Sequence, residues 1–524
     1  MRRSWERRAW WSAAAVVLLA GGLAACRSAG PEPPAAVPSV PPAVEPAPAP
    51  GAAAGAVMLP PRVELAPCGP AQLGPQPAPE MAGAQCGVYE VFENQRTRAG
   101  RTIPLQVLVL PATGPERQPD PLLVLLGGPG QGAVAAAPLF AKAFAPLRQK
   151  RDLVFIDQRG TGGSRPLHCP LPGSDDDPQA FLGDLLPVEA VRACLAALDA
   201  DPRLYTTTHA VEDLEEVRST LQYPRINLFG HSYGSRAALV WMRTYPFSVR
   251  AAVLYGAAPT DMHPPLNHAP DAQRALDRLL AECAADAACG AAYPDLPGKL
   301  RQVLERLAAA PVEVEIEDPK TKRPVRLRLS RDLFAEVLRW RLYDERAASV
   351  PSFIAAAHAG DFAPVARAAL GLRRAGATGA LLAVGTFLST TCAEDVPEIE
   401  KAEADRLAKG TFLGSYRVDQ QRRACEVWPR NDVPRGYAAP VTAPVPTLVV
   451  SGERDPVTPP RWGEEVASHL PRASHLVLPH GAHGVPGPCL AEVFAQFLDR
   501  ADPQGLDTAC VQKIERPAFV LPGG

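Results

Sequence analysis

Three residues far apart in the chain could act as nucleophile, acid and base: Ser232, Asp455 and His483. Each sits in a short loop directly after an apolar run. Ser232 is the centre of Gly230-His231-Ser232-Tyr233-Gly234, with an apolar stretch at 226–229 before it and a helix-compatible stretch at 236–245 after it. That reads as strand, sharp turn, helix, a turn that lifts the serine into strained backbone and needs small residues two positions to either side. Asp455 lies in 452–459 after the apolar run 446–451, and His483 in 481–484 after 474–478. Serine is a poor nucleophile at its own pKa. A histidine that takes its proton, and an acid that fixes the imidazole tautomer, supply what it lacks. His480 is the rival base, but the small neighbours Ala482 and Gly484 give His483 the easier turn into a site.

Attack on a carbonyl creates an oxyanion, which needs backbone N–H groups already aimed at it. The residue after the nucleophile, Tyr233, is one expected donor, and the glycine loop 127–132, after the apolar run 121–126, supplies the other. Pro129 has no N–H, so Gly128 is the expected residue and Gly130 the fallback. The loop lacks the Gly-x-x-x-x-Gly-Lys pattern of a phosphate cradle.

The elements that must position these loops follow from periodicity. Runs 87–92 and 103–110 read as an entry hairpin, and 121–126, 152–157, 226–231, 251–255, 446–451 and 474–478 as further strands. A helical pattern at 206–221 precedes the Ser232 strand. Strands alternating with helices give a mostly parallel sheet covered on both faces, and the order serine, acid, histidine is that of the α/β-hydrolase fold. From about 261 to 434 the pattern turns helical, at 272–285, 298–310, 332–343 and 364–374, with a charged hairpin at 312–329. An insertion of this kind covers a site and selects substrate. A glycine-rich turn at 157–164 carries Arg159, whose five donors suit pinning the loop to backbone carbonyls better than touching substrate.

The N-terminus carries Arg2, Arg3, Arg7 and Arg8, then an apolar run to Gly22 and Leu23-Ala24-Ala25-Cys26. It resembles a bacterial lipoprotein signal in which Cys26 is lipidated, and the run is short for a membrane span. An Ala/Pro-rich stretch follows that supports neither helix nor paired strand. The expected organisation is signal 1–26, linker 27–66, core 67–262, helical cap 263–435, core 436–511 and tail 512–524. Net charge is −2 in 524 residues, with 47% hydrophobic and 21% charged, which suits a globular protein and gives nucleic acid no reason to bind. Ten cysteines remain after Cys26, an even number for an oxidising compartment. They fall into neighbouring pairs, Cys68 with Cys86, Cys169 with Cys194, Cys283 with Cys289, Cys392 with Cys425 and Cys489 with Cys510, although sequence does not fix connectivity. No Cys-x-x-Cys spacing suggests a metal, and no cofactor is expected.

The segments 127–130, 157–162, 230–234, 452–459 and 481–484 together resemble the prolyl iminopeptidase and tripeptidyl aminopeptidase (TAP-like) family of serine peptidases, across about 86–510. Leu126 departs from it, because prolyl iminopeptidases carry histidine there. The resemblance implies an exported aminopeptidase that releases short N-terminal pieces from peptides, through an acyl-enzyme on the serine; the leader ending in Cys26 is what suggests anchoring at the bacterial cell envelope. Such an enzyme must hold an ammonium group, and Glu394 or Asp395, which resemble the family's acidic cap segment, are the expected anchor; the alternative is a pair of solvent-facing acids at a turn or helix start. A lipid-anchored carboxylesterase is the alternative activity, and a non-catalytic binding protein on the same scaffold the lesser one. Substrate length and oligomeric state are not written in the chain.

Overall fold

The computed structural model describes residues 62–74, 76–377 and 382–523. The expected signal with Cys26, and all but the last residues of the linker, lie outside that range. The strands are β1 (Ala66–Pro67), β2 (Gln85–Phe92), β3 (Thr102–Leu110), β4 (Leu122–Leu125), β5 (Leu153–Ile156), β6 (Ile226–His231), β7 (Val249–Tyr255), β8 (Val312–Glu317), β9 (Pro324–Leu329), β10 (Thr447–Gly452) and β11 (Ala473–Leu478). Nine of them form one sheet in the order β1-β2-β3-β5-β4-β6-β7-β10-β11. From β5 to β11 all neighbours are parallel, and β1, β2 and β3 add an antiparallel edge. Every residue of β4 and β5 is buried, as expected of strands covered on both faces. Alternate residues feed two cores: Leu123, Val154 and Leu228 on one face, Leu122, Phe155 and Phe229 on the other.

The helices that matter for the site are α1 (Thr207–Thr220), α2 (Tyr233–Thr244), α3 (Pro264–Ala285), α4 (Leu296–Ala309), α5 (Arg331–Arg341), α6 (Ala363–Ala377), α7 (Val384–Glu394), α8 (Tyr416–Cys425), α9 (Pro460–His469) and α10 (Pro488–Arg500). Helices α3 to α8 and the two-stranded β8-β9 sheet fall between β7 and β10; α3 to α6 and that sheet build a third core, while α7 and α8 share a smaller cluster with Cys169, Leu186, Val191 and Cys194. Leu276, Val303, Phe334, Phe353 and Leu370 are at the centre of the third core.

Three boundaries differ from those expected. The sheet begins at Ala66, which pairs with Cys86, so the last linker residue is a strand residue. Helix α3 starts at Pro264 rather than at the expected 272, and runs through Pro270. Pro270 removes one backbone bond, and the buried Leu266, Ala269 and Ala272 on either side hold the turn against the core. The third core also takes in Phe181, from before the nucleophile, and Phe519, from the tail. The tail is fixed there by a Val520 N–H bond to the Ala348 carbonyl and by the Tyr293 hydroxyl on the Val520 carbonyl.

Five disulfides close within this body: Cys68–Cys86, Cys169–Cys194, Cys283–Cys289, Cys392–Cys425 and Cys489–Cys510. The fourth joins α7 to α8 inside the cap. Crosslinks of this kind contribute about 2–4 kcal/mol each by restricting the unfolded chain.

Candidate active site

Ser232 has φ 57° and ψ −125°, left-handed backbone for a residue with a side chain, at a cost of about 1–3 kcal/mol. Its N–H bonds the Tyr255 carbonyl at the end of β7 at 2.9 Å, and its carbonyl accepts from Ser235 N–H at 2.9 Å. The flanking glycines are obligatory. A methyl group on Gly230 would lie 2.6 Å from the Gly234 carbonyl oxygen, and one on Gly234 would overlap the carbonyl of Leu125. The turn is therefore wedged between its own two arms and β4.

Across the end of β7, Asp455 and His483 meet. His483 Nδ1 lies 2.7 Å from Asp455 Oδ2 and 3.1 Å from the Thr458 hydroxyl. The carboxylate also accepts from Val457 N–H at 2.7 Å, Thr458 N–H at 2.8 Å and the Thr458 hydroxyl at 2.9 Å. Burial alone would raise the Asp455 carboxyl, but His483 and these donors leave it below its ordinary range. An ionised acid on Nδ1 fixes the tautomer with the lone pair on Nε2.

Ser232 is brought to the same place by its neighbours. The His231 ring stands 5.1 Å from the His483 ring, and a methyl on Gly256, the residue after Tyr255, would meet His483 Cε1 at 3.4 Å. Burial, with His483 nearby, pushes His231 down to about 3, so it is neutral beside the site. Gly127 lies over the serine, its absent methyl 3.1 Å from Ser232 Cβ. Gly128 has φ +111° and Gly130 φ +107°. The Gly130 carbonyl accepts from Ala383 N–H at 2.9 Å, and a methyl on that glycine would strike the Ala383 carbonyl at 2.8 Å. Tyr233 opens α2, where first-turn N–H groups have no helical partner.

His480 is not among the hydrogen-bond partners of the Asp455 carboxylate. It has φ 56° and lines a cavity of about 680 Å³ with Arg454, Glu345 and Phe519. Arg159 is fully buried, donates to Asp213 at 2.6 and 2.8 Å and to the carbonyls of Glu93 and Leu204, and so pins its loop.

Glu394 and Asp395, the expected amine anchor, are both buried at the end of α7, so the solvent-facing alternative does not hold. Glu394 accepts from Thr207 N–H at 2.6 Å, the Thr207 hydroxyl at 2.7 Å and the Tyr437 hydroxyl, while Asp395 takes Arg236 Nη1 at 2.8 Å. A carboxylate with that many internal donors has little left for a substrate amine.

The cap adds residues with no sequence signal beyond helical spacing. Tyr343 packs edge-on to His483 at 5.2 Å, and Trp340 stacks on Tyr343 at 4.6 Å. Trp340 also lines a cavity of about 130 Å³ with Glu336, Arg373, Leu382, Phe387 and Arg417. Leu382 precedes Ala383, the residue bonded to Gly130, so this cavity lies next to the glycine loop. Glu336 accepts from Trp340 Nε1 at 2.9 Å and from Arg417, both on Oε1, and its buried Oε2 has no donor among the described residues. Burial works to raise Glu336, but Arg417 and Arg339 outweigh it and keep the carboxyl low.

Residues 120–286 match a family described as alpha/beta hydrolase fold, and residues 410–510 one described as TAP-like protein. The chain is 26% identical over 444 residues to the serine protease Hip1 of Mycobacterium tuberculosis, covering 77% of this chain and 82% of that protein. It is 30% identical over 188 residues to the tripeptidyl aminopeptidase of Streptomyces coelicolor, 32% of this chain and 34% of that one. Among solved structures, proline iminopeptidase of Mycobacterium smegmatis aligns with 18% identity and a TM-score of 0.36, over 79% of this chain and 98% of that one. The chain has the α/β-hydrolase fold, matches a TAP-like description in its C-terminal part, and is similar to serine proteases and aminopeptidases.

Proposed function

We propose that the chain is an exported serine aminopeptidase working through Ser232, His483 and Asp455. The observation that carries this is the His483–Asp455 pair at 2.7 Å, on the sheet edge where Ser232 is held in strained backbone. His483 Nε2 takes the Ser232 proton as Oγ attacks the carbonyl carbon, and returns it to the departing amine. The N–H groups of Gly128 and Tyr233 hold the oxyanion. Release of the amine leaves an acyl-enzyme on Ser232 Oγ, and a water activated by the same imidazole hydrolyses it.

The substrate's N-terminal portion enters the cavity beneath Trp340, with apolar side chains against Leu382 and Phe387. Glu336, ionised, lining that cavity and with Oε2 lacking a donor among the described residues, is a second candidate beside Glu394 and Asp395 for the group that takes the ammonium. Five disulfides and the Arg-rich, Cys26-terminated leader support export, with lipidation of Cys26 at the cell envelope.

The test is a peptide-library digest read by mass, with Ser232→Ala as control. Stepwise loss of N-terminal pieces that stops on N-acetylation, and disappears in the variant, is expected. Cleavage of simple esters with no peptide products would transfer the same triad to the carboxylesterase reading.

A further inference from the structure

One cap helix touches both segments that flank the nucleophile. At the N-terminal end of α7, Ala383 donates its N–H to the Gly130 carbonyl at 2.9 Å. At its C-terminal end, Glu394 binds Thr207 through backbone N–H at 2.6 Å and hydroxyl at 2.7 Å. Thr207 Oγ1 in turn lies 2.8 Å from the hydroxyl of Tyr233. The threonine has one hydroxyl proton and gives it to the carboxylate, so the Tyr233 hydroxyl donates to Thr207. Tyr437 adds its hydroxyl to the same Glu394 oxygen, and Arg236, in the same helix as Tyr233, lies 3.9 Å from it. An eleven-residue helix is about 16 Å long, enough to reach from one loop to the other.

Resting on the acyl-transfer reading above, we infer that α7 sets the geometry of the oxyanion hole, with Glu394 as a positioning residue that holds the Tyr233 donor through Thr207. The glycine loop is braced at one end of the helix and the nucleophile helix at the other. The cap then does more than cover the site: where α7 sits decides where both donors point. Three further bonds key α7 to the core, from Thr386 to the Gly160 carbonyl, from Gly385 N–H to the Leu167 carbonyl at 2.8 Å and from Thr390 to the Tyr205 carbonyl at 3.1 Å. The Cys392–Cys425 disulfide fixes the same helix to α8. Oxyanion donors work over a narrow range of distance, so a small tilt of the Tyr233 peptide lowers kcat without altering ground-state binding.

The experiment uses the full chain with Glu394→Gln and Tyr233→Phe. The second keeps the backbone N–H and removes only the hydroxyl link. Readouts are kcat and KM on a peptide amide, per titrated active site, and the affinity of a peptidyl trifluoromethyl ketone, whose adduct carries an oxyanion. The expected result is a fall in kcat of about tenfold, less than the hundredfold or more of losing a donor outright, with KM within about twofold. Ketone affinity is expected to fall by the same factor as kcat. Unchanged kcat and ketone affinity, with only a lower unfolding midpoint, would overturn the inference and leave Glu394 a packing residue. If Glu394→Gln does not fold, Tyr233→Phe decides by the same criteria. Hydrolysis that survives in Ser232→Ala would instead sink the underlying reading of the nucleophile.

Discussion

His483 Nδ1 and Asp455 Oδ2 stand 2.7 Å apart, and the carboxylate is held in place by two backbone donors and the hydroxyl of Thr458. Asp455→Asn leaves the shape intact but offers an amide where the imidazole needs an acceptor, which favours the wrong tautomer. The expected loss is about 10⁴-fold in kcat with KM little changed, read by steady-state kinetics at neutral pH. A loss under tenfold would mean that another group orients His483.

Glu336→Gln tests the ammonium subsite. Neutralising the carboxylate that lines the cavity beneath Trp340 is expected to raise KM about tenfold or more for peptides with a free N-terminus, about the value of one charge-assisted bond. Hydrolysis of a small acyl ester, which has no ammonium, is expected to stay within about twofold. Equal effects on both substrates would remove Glu336 from recognition.

Gly234→Ala tests the wedge beneath the nucleophile. The added methyl overlaps the Leu125 carbonyl, a backbone atom that moves only with β4. A destabilisation of about 3 kcal/mol is expected in urea unfolding, together with loss of fluorophosphonate labelling at Ser232.

Arg159 and Asp213 form a fully buried, two-bond ion pair. Asp213→Asn leaves the guanidinium buried without its counter-charge, at an expected cost of about 3–5 kcal/mol in chemical denaturation. A change below about 1 kcal/mol would place the pair in solvent exchange instead.

Three histidines, His268 buried and His209 and His231 half-buried, predict acid sensitivity. Burial and Arg159 push His209 down to about 4, burial and His483 push His231 to about 3, and burial with Arg339 lowers His268 well below its ordinary value. In the unfolded chain each titrates near 6.5. Between those values the unfolded state binds protons that the folded state refuses, so this stabilisation is full above about pH 6.5 and is lost as pH falls towards 4. A melting temperature that drops over pH 6.5 to 4, less steeply in His209→Gln, is the expected outcome.

The core was legible because its signals are local. Strand 226–231, the glycines beside Ser232 and the loops carrying Asp455 and His483 each announce themselves within ten residues, and β6, α2, β10 and β11 lie where that pattern puts them. The role of Glu394 was not legible. Its partners Thr207, Arg236 and Tyr437 come from three separate stretches, and whether an acid faces a cleft or a buried donor set depends on that meeting. Helical spacing located α5, but which side chains on it line the cavity, and that Tyr343 just past its end meets His483, is decided by packing, so Tyr343, Trp340 and Glu336 carried no signal of their own. Helix α3 extends back past the expected 272 to Pro264 for a related reason: Pro270 is tolerated within it because both flanks are buried.

The sheet places β7 against β10, with Ala252 beside Thr447, and the entire cap lies between them in sequence. On the proposed mechanism, a growing polypeptide presents its serine long before the aspartate and imidazole exist, and the hydroxyl gains its base only once the two halves of the core close on one another.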